Sequence, residues 1–355
     1  MNTGKNNEGL RFVANPPNPW HAQESEWLGE PPAAKLQVYE ETATKHIITK
    51  NSSPDVGFDY TVNVYRGCTH ACNYCFARPY HEYLDFGAGT DFETKIVVKI
   101  NAPELLRADI KANRHKGDRI MFSFASDAYQ PLEGVYKLTR ECLKVCLEMN
   151  QPVGILTKGP LITRDIDILV PMTEKGLLAG IHMTIPFVDP KLSQAFEPHT
   201  ALPASRFRAL KKLSDAGIKT GVAIAPIIPG VNAQQIPLVL QAAKDAGACW
   251  AFMNYLRLPG SVAPYFVETT RRRLPLMADK IINKVKRERH GKLNNPQFFE
   301  RMKGTTEEYH TAVRLFNLWH KKLGFVARRP AESETAGLKD ILTKNPSQTE
   351  QLSLF

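Results

Sequence analysis

Three cysteines within eight residues constrain this chain more than any other feature. Cys68, Cys72 and Cys75 are spaced C-x3-C-x2-C in the segment Arg66-Gly67-Cys68-Thr69-His70-Ala71-Cys72-Asn73-Tyr74-Cys75-Phe76-Ala77-Arg78. Thiolates are soft ligands for iron–sulfur clusters and zinc. One loop can fold three sulfurs onto one corner of a small inorganic core. A [4Fe-4S] cluster held by three thiolates keeps one iron open for a further ligand. Two other readings remain open: zinc bound by the three cysteines with His70 or His81 as fourth ligand, and buried thiols that bind no metal.

Composition narrows the setting. The chain has 355 residues, 43% of them hydrophobic, enough for one large α/β domain with extensions or for two domains. No apolar run follows Met1-Asn2-Thr3-Gly4-Lys5, so no secretory signal is expected. No apolar stretch reaches the roughly 18 residues that span a membrane. A cytoplasmic protein with reduced thiols is therefore expected, not a disulfide framework for its six cysteines. Net charge is +10, and the excess is concentrated between Arg271 and Lys292. There Arg271, Arg272, Arg273, Lys280, Lys284, Lys286, Arg287, Arg289 and Lys292 face only Asp279 and Glu288. Such a run is a candidate phosphate-binding face, or the solvated side of an amphipathic helix.

Four segments follow along the chain. Residues 1–50, rich in Pro, Asn and Glu, read as an irregular arm. Residues 51–262 alternate β-branched runs with segments of helical period. Strands are expected over 61–65, 95–100, 119–124, 153–157, 178–185, 220–224 and 249–254. Helices are expected over 102–114, 137–149, 163–174, 203–216 and 233–246. Alternation of this kind implies parallel βαβ units in a full or partial barrel, with chemistry at the strands' C-terminal ends. The strand ends carry Ser126-Asp127-Ala128-Tyr129, Thr157-Lys158-Gly159, Thr184-Ile185-Pro186, Ala225-Pro226 and Asn254-Tyr255. Residues 263–330 read as a basic helical extension, with Lys280, Lys284 and Arg287 opposite Met277, Ile281 and Val285, and a further helix over 307–322. Cys142 and Cys146, four apart among Leu and Val, read as inert buried thiols, as does Cys249.

The cysteine loop, with an aromatic after its third cysteine, resembles the signature of radical S-adenosyl-L-methionine (radical SAM) enzymes. Tyr65-Arg66-Gly67, Cys75-Phe76-Ala77-Arg78, His81-Glu82-Tyr83-Leu84, Ser126–Glu133, Leu156-Thr157-Lys158 and Ala225-Pro226-Ile227-Ile228-Pro229-Gly230 narrow the likeness. Together they resemble the spore photoproduct lyase-like, DNA repair photolyase-like branch over roughly residues 50 to 260. The resemblance implies an α/β fold with a partial (β/α)6 TIM-like barrel. It implies a [4Fe-4S] cluster on Cys68, Cys72 and Cys75 whose open iron chelates SAM. Reductive cleavage, fed by an electron donor, would then yield a 5′-deoxyadenosyl radical for lyase-like, carbon-centred radical chemistry. Carried over by position, Ser126 and Lys158 would contact SAM, Thr184 would lie near its ribose, and Phe76 and Ala225 near its adenine. The lyase's hydrogen-donating cysteine, two residues before the serine, is Phe124 here. Tyr74, Tyr129 and Tyr255 are the candidate replacement donors. His81, Glu93 and Lys95 read either as proton-managing groups or as surface ion pairs.

The last segment, 331–355, reads as a flexible tail ending in Gln351-Leu352-Ser353-Leu354-Phe355. This pentapeptide resembles the motif by which bacterial repair and replication proteins bind the sliding clamp, with Gln351, Leu352, Leu354 and Phe355 as contacts. With the basic helix it favours action on nucleic acid, through Arg271, Arg272, Arg273, Lys280, Lys284 and Arg287. The alternatives are a radical SAM enzyme on a protein or small molecule, and a non-catalytic, zinc-stabilised nucleic-acid-binding protein.

Overall fold

The computed structural model describes residues 35–326. Its strands are β1 (Gln37–Glu41), β2 (Ile48–Lys50), β3 (Tyr60–Val62), β4 (Tyr65–Arg66), β5 (Lys95–Lys99), β6 (Ile120–Phe122), β7 (Val153–Thr157), β8 (Leu178–Thr184), β9 (Thr220–Ile227) and β10 (Trp250–Tyr255). Its helices are α1 (Thr90–Thr94), α2 (Ala102–Lys111), α3 (Glu133–Tyr136), α4 (Leu138–Glu148), α5 (Ile166–Glu174), α6 (Pro190–Phe196), α7 (Pro203–Asp215), α8 (Ile236–Asp245), α9 (Val262–Arg273), α10 (Ala278–Arg287) and α11 (Glu307–Lys322). Proline at the first or second position starts α2, α6, α7 and α8, where its missing N–H costs nothing.

The large sheet has the order β10-β9-β8-β7-β6-β3-β2. From β3 to β10 its neighbours are parallel; β2 pairs antiparallel with β3 at the edge. Six parallel strands joined through helices form the expected partial (β/α)6 barrel, and β2 and β10 do not pair to close it. Ile120, Phe122, Val153, Ile155, Ile181, Met183, Val222 and Ile224 are all buried. Such continuous apolar strands are what a parallel sheet covered on both faces requires.

Four expectations are corrected. The strand expected over 61–65 divides between two sheets. Asn63 breaks it, its Oδ1 accepting the Ala125 N–H at 2.8 Å, so that β3 joins the large sheet and β4 turns into a second one of order β1-β5-β4. The strand expected over 95–100 thus lies outside the barrel. Its partner β1, with β2, comes from the arm expected to be irregular. The strand expected to run to Phe124 stops at Phe122, because Ser123 and Phe124 take φ of 98° and 89°. Positive φ is rare for a bulky residue and ends the ladder.

A buried ion pair spans the open side. Asp55, between β2 and β3, accepts from Arg301 Nε at 2.7 Å and from Arg301 Nη2. Arg301 lies on the segment that meets the opposite sheet edge, where Tyr255 N–H donates to Met302 O at 3.3 Å. Among the described residues no helix is long and apolar enough to cross a membrane.

Candidate functional site

The cysteine loop leaves β4 at Gly67, whose φ is +79°. A Cβ there would stand 2.9 Å from both Phe92 O and Ile96 Cδ1, so a glycine is needed on both counts. Cys68 N–H then donates to Phe92 O at 2.9 Å. From the end of β6, Ser126 Oγ donates to Gly67 O at 2.7 Å. Gln130 Nε2 donates to Ser126 Oγ at 2.9 Å, and its Oε1 accepts the Thr69 N–H at 3.0 Å. Ser126 therefore grips the loop backbone, beside the thiols, where the resemblance places a SAM contact.

Arg78 holds the other end of the loop. Its side chain is fully buried. Nε and Nη2 donate to Cys72 O at 3.0 and 2.8 Å, and Nη1 donates to Ala88 O and Gly89 O at 3.0 and 2.9 Å. Nη2 also pairs with Glu93 Oε1. The guanidinium sits 4.0 Å over the Tyr265 ring, and Tyr265 OH donates to Glu93 at 2.6 Å. Glu93 is thus the buried counter-ion of Arg78, not a surface group. Lys95 Nζ pairs with Asp91 at 3.1 Å.

His81 packs its ring against Phe86 and Phe92, with Nε2 2.9 Å from Lys95 O. Burial lowers its pKa from 6.5 to about 4, despite the opposing pull of Lys95 O and Asp91, with Lys95 and Arg78 adding to the fall. The folded state therefore favours the neutral ring. Stability is complete above pH 6.5 and is lost as pH falls toward 4, by about 3 kcal/mol in all. Chemical denaturation across this window should show that loss, and His81→Phe should flatten it.

Asp127 ties the loop to two strand ends. Its Oδ1 accepts Thr157 Oγ1 at 2.5 Å and Tyr129 N–H at 2.9 Å; its Oδ2 accepts Lys158 N–H at 2.8 Å and lies 3.5 Å from His70 Nδ1. Burial works to raise this carboxyl but is outweighed by His70 and the hydrogen bonds, which hold it well below the usual range. Lys158 Nζ points back across the Tyr74 ring, 5.8 Å away, and lies 3.9 Å from Glu197 Oε1. Glu197 also accepts Tyr74 OH and pairs with Arg206 Nη2 at 2.6 Å. Arg206 Nη1 in turn donates to Thr184 O at 3.0 Å. Burial opposes the Glu197 carboxylate, but Arg206 and Lys158 hold it below the ordinary range.

The three tyrosines do not converge. Tyr74 OH serves Glu197, Tyr129 OH donates to Asp165 at 3.1 Å, and Tyr255 OH donates to Glu288 at 3.1 Å. Phe76 is 37% exposed, with Arg257 stacked on it, and Ala225 lies within β9. Phe124 packs against Phe58, ring centroids 4.2 Å apart. Cys142 and Cys146 are buried in α4, as expected.

The basic run divides. Arg289 is buried and donates to Leu256 O and Arg301 O. Lys284 pairs with Glu308 at 2.6 Å, and Arg273 Nη1 donates to Ala195 O at 3.2 Å. Those three brace the fold, because carbonyls and a carboxylate distant in sequence claim them. Lys280, Lys286 and Arg287 stay exposed on α10, as does Arg271, which meets Asp279 at 3.4 Å. The clamp-like pentapeptide at 351–355 lies outside the described residues.

The donor set fits an iron–sulfur cluster. Cys68, Cys72 and Cys75 are free thiols of one loop and lie within electrostatic reach of one another. Burial, joined by Glu197 and Cys75, pushes the Cys72 thiol up to about 12, and Lys158 and Arg206 offset only part of that rise. Between them, both side-chain polar atoms of Asn73 are buried without a hydrogen-bond partner, a cost that a bound group could relieve. No three His, Cys, Asp or Glu side chains among the described residues are grouped for a single ion. A cluster, with each thiolate on its own iron, asks for wider spacing than mononuclear zinc.

The profile of the Radical SAM superfamily matches residues 62–243. An uncharacterized protein of Mycobacterium tuberculosis is 34% identical over 212 residues, 59% of this chain and 62% of that one. An uncharacterized protein of Methanocaldococcus jannaschii is 34% identical over 196 residues, 55% of this chain and 70% of that one. The chain thus spans about 62% of the length of its mycobacterial relative. In fold it resembles spore photoproduct lyase complexed with dinucleoside spore photoproduct, with a TM-score of 0.58 and 16% identity, over 81% of this chain and 80% of that one.

Proposed function

The chain belongs to the radical SAM superfamily, whose cofactors are a [4Fe-4S] cluster and SAM, and we propose that it is an enzyme that uses them on nucleic acid, at a damaged or modified base. The observation that carries the reading is the convergence, at the sheet's C-terminal edge, of three loop thiols with Ser126 and Lys158. Bound there, the cofactors supply one-electron cleavage of a sulfonium and a carbon-centred radical able to abstract hydrogen.

The chain's own residues do the rest. Cys68, Cys72 and Cys75 hold the cluster. Arg78 and Ser126 keep the loop backbone in place. Lys158 offers the cation suited to the SAM carboxylate, with Asp127 fixing its backbone and Glu197 its ammonium. Thr184, at the end of β8, is assigned to the ribose, and Phe76 and Ala225 to the adenine, as the resemblance implies.

Nucleic acid as substrate is supported by the exposed cations of α10 and by the lesion bound in the spore photoproduct lyase structure that shares this fold. Phe124 cannot return hydrogen as a cysteine would, so the reaction differs from reversal through such a thiol. Binding of a fluorescent duplex, followed by anisotropy over a salt series, tests the substrate class. Affinity should fall steeply with salt, and the K280A/K286A/R287A variant should flatten the log–log slope by about 2–3. Salt-independent or absent binding would return the protein and small-molecule alternatives to the front.

A further inference from the structure

Arg257 stands two residues beyond β10, and its guanidinium lies 5.2 Å over the ring of Phe76, the residue after Cys75. Among the described residues it makes no ion pair and no hydrogen bond. The nearby carboxylate is already taken: Arg301 binds both oxygens of Asp55. Burial and the charge of Arg301 both disfavour the Arg257 cation, with Tyr80 and Asp55 opposing them. A planar fork of five donors, partly withdrawn from water and beside a second guanidinium, suits an oxyanion brought by a ligand.

The neighbouring surface is aromatic. Arg301 lies 4.6 Å over the ring of Phe298. Phe298 and Phe299 are consecutive and 45% and 52% exposed. Phe299 has φ +66°, unusual for a bulky residue, and its N–H donates to Asp55 Oδ2 at 3.2 Å. Gln297 N–H donates to Asn295 Oδ1 at 2.9 Å just before them. Two phenyl rings are therefore held in water by a backbone pinned at a buried ion pair. The exposed cations of α10, ending at Arg287, precede Phe298 in the chain. Cations beside exposed rings match a nucleic acid strand, which offers phosphates and flat base faces in alternation.

We propose that Arg257, Phe298 and Phe299 form a strand-binding site at the mouth of the barrel: Arg257 takes a phosphodiester beside the cluster loop, and the two rings stack on bases flanking the reacting nucleotide. This rests on the nucleic-acid reading above and assigns it a place. A base held outside the duplex needs its neighbours supported, and stacking on aromatic side chains supplies that without sequence preference.

The test uses the full chain, reconstituted with iron and sulfide, and a fluorescein-labelled single-stranded deoxyoligonucleotide titrated over a salt series. F298A/F299A should bind about tenfold or more weakly with an unchanged salt slope, since stacking releases no counterions. F298W/F299W should restore binding. R257Q should weaken binding and lower the slope by about 0.7, the share of one phosphate contact on a single strand. Iron content and melting temperature report whether each variant is folded. Wild-type affinity in both F298A/F299A and R257Q, with the wild-type protein binding normally, would overturn this site and leave the nucleic-acid reading standing. A wild-type protein that binds the duplex but not this oligonucleotide would overturn this site alone; one that binds neither would overturn the nucleic-acid reading itself, and this site with it.

Discussion

Arg78→Met should destabilise the protein by about 3–5 kcal/mol, the cost of leaving a buried charge without its partner. The reason lies in what the guanidinium satisfies at once: Cys72 O, Ala88 O, Gly89 O and the Glu93 carboxylate, all inside the protein. Glu93 would keep the Tyr265 OH and Cys72 O the Cys75 N–H, but neither replaces the lost cation, and Ala88 O and Gly89 O would lose the guanidinium. Lysine would keep the charge but cannot reach three carbonyls and a carboxylate in one plane. Arg78→Lys should therefore recover only a minor part of the loss. The double variant R78M/E93Q removes the stranded charge and should regain more than R78K does. Chemical denaturation of the three variants measures this directly. Because Cys72 O is one of the acceptors, R78M should also bind iron poorly on reconstitution.

Alanine at Cys68, Cys72 or Cys75 should remove cluster assembly and reduce SAM cleavage to background. In the proposed site each thiol is one of three protein ligands, so loss of any one would leave the core short of an anchor. The contrast lies with Cys142 and Cys146. Both sit in α4, and burial alone accounts for the raised thiol of Cys146. C142A and C146A should keep full iron content and cleavage, with a stability cost of about 1–2 kcal/mol for the lost packing. Iron and sulfide assays with visible absorption, run on all five variants, separate the two groups.

The sequence made the chemistry more legible than the architecture around it. The cysteine spacing, Ser126 and Lys158 could be read because each stands in a short motif at the end of a strand. Arg78 stood in the quoted motif without a role, since its partners Ala88 O, Gly89 O and Glu93 meet it only after the chain turns back. An arginine three residues after Cys75, with Glu93 later in the same stretch, was the available signal. β1 escaped notice because its side chains are largely exposed, Val38 and Tyr39 among them, and show no alternation of buried and open positions. Its pairing with β5 then drew an expected barrel strand into another sheet. The basic run looked uniform by composition. Only the fold distinguishes Arg289, closed over by Leu256 O, from Arg287, which faces water. The tyrosines picked beside Cys75 and near strand ends serve three separate carboxylates.

The most direct test of the central claim is anaerobic reconstitution of the full chain with iron and sulfide, followed by SAM and dithionite. A brown protein with about four irons per chain and formation of 5′-deoxyadenosine and methionine is the expected result. A colourless protein that takes up zinc instead, or an iron–sulfur protein that leaves SAM intact under reduction, would contradict it.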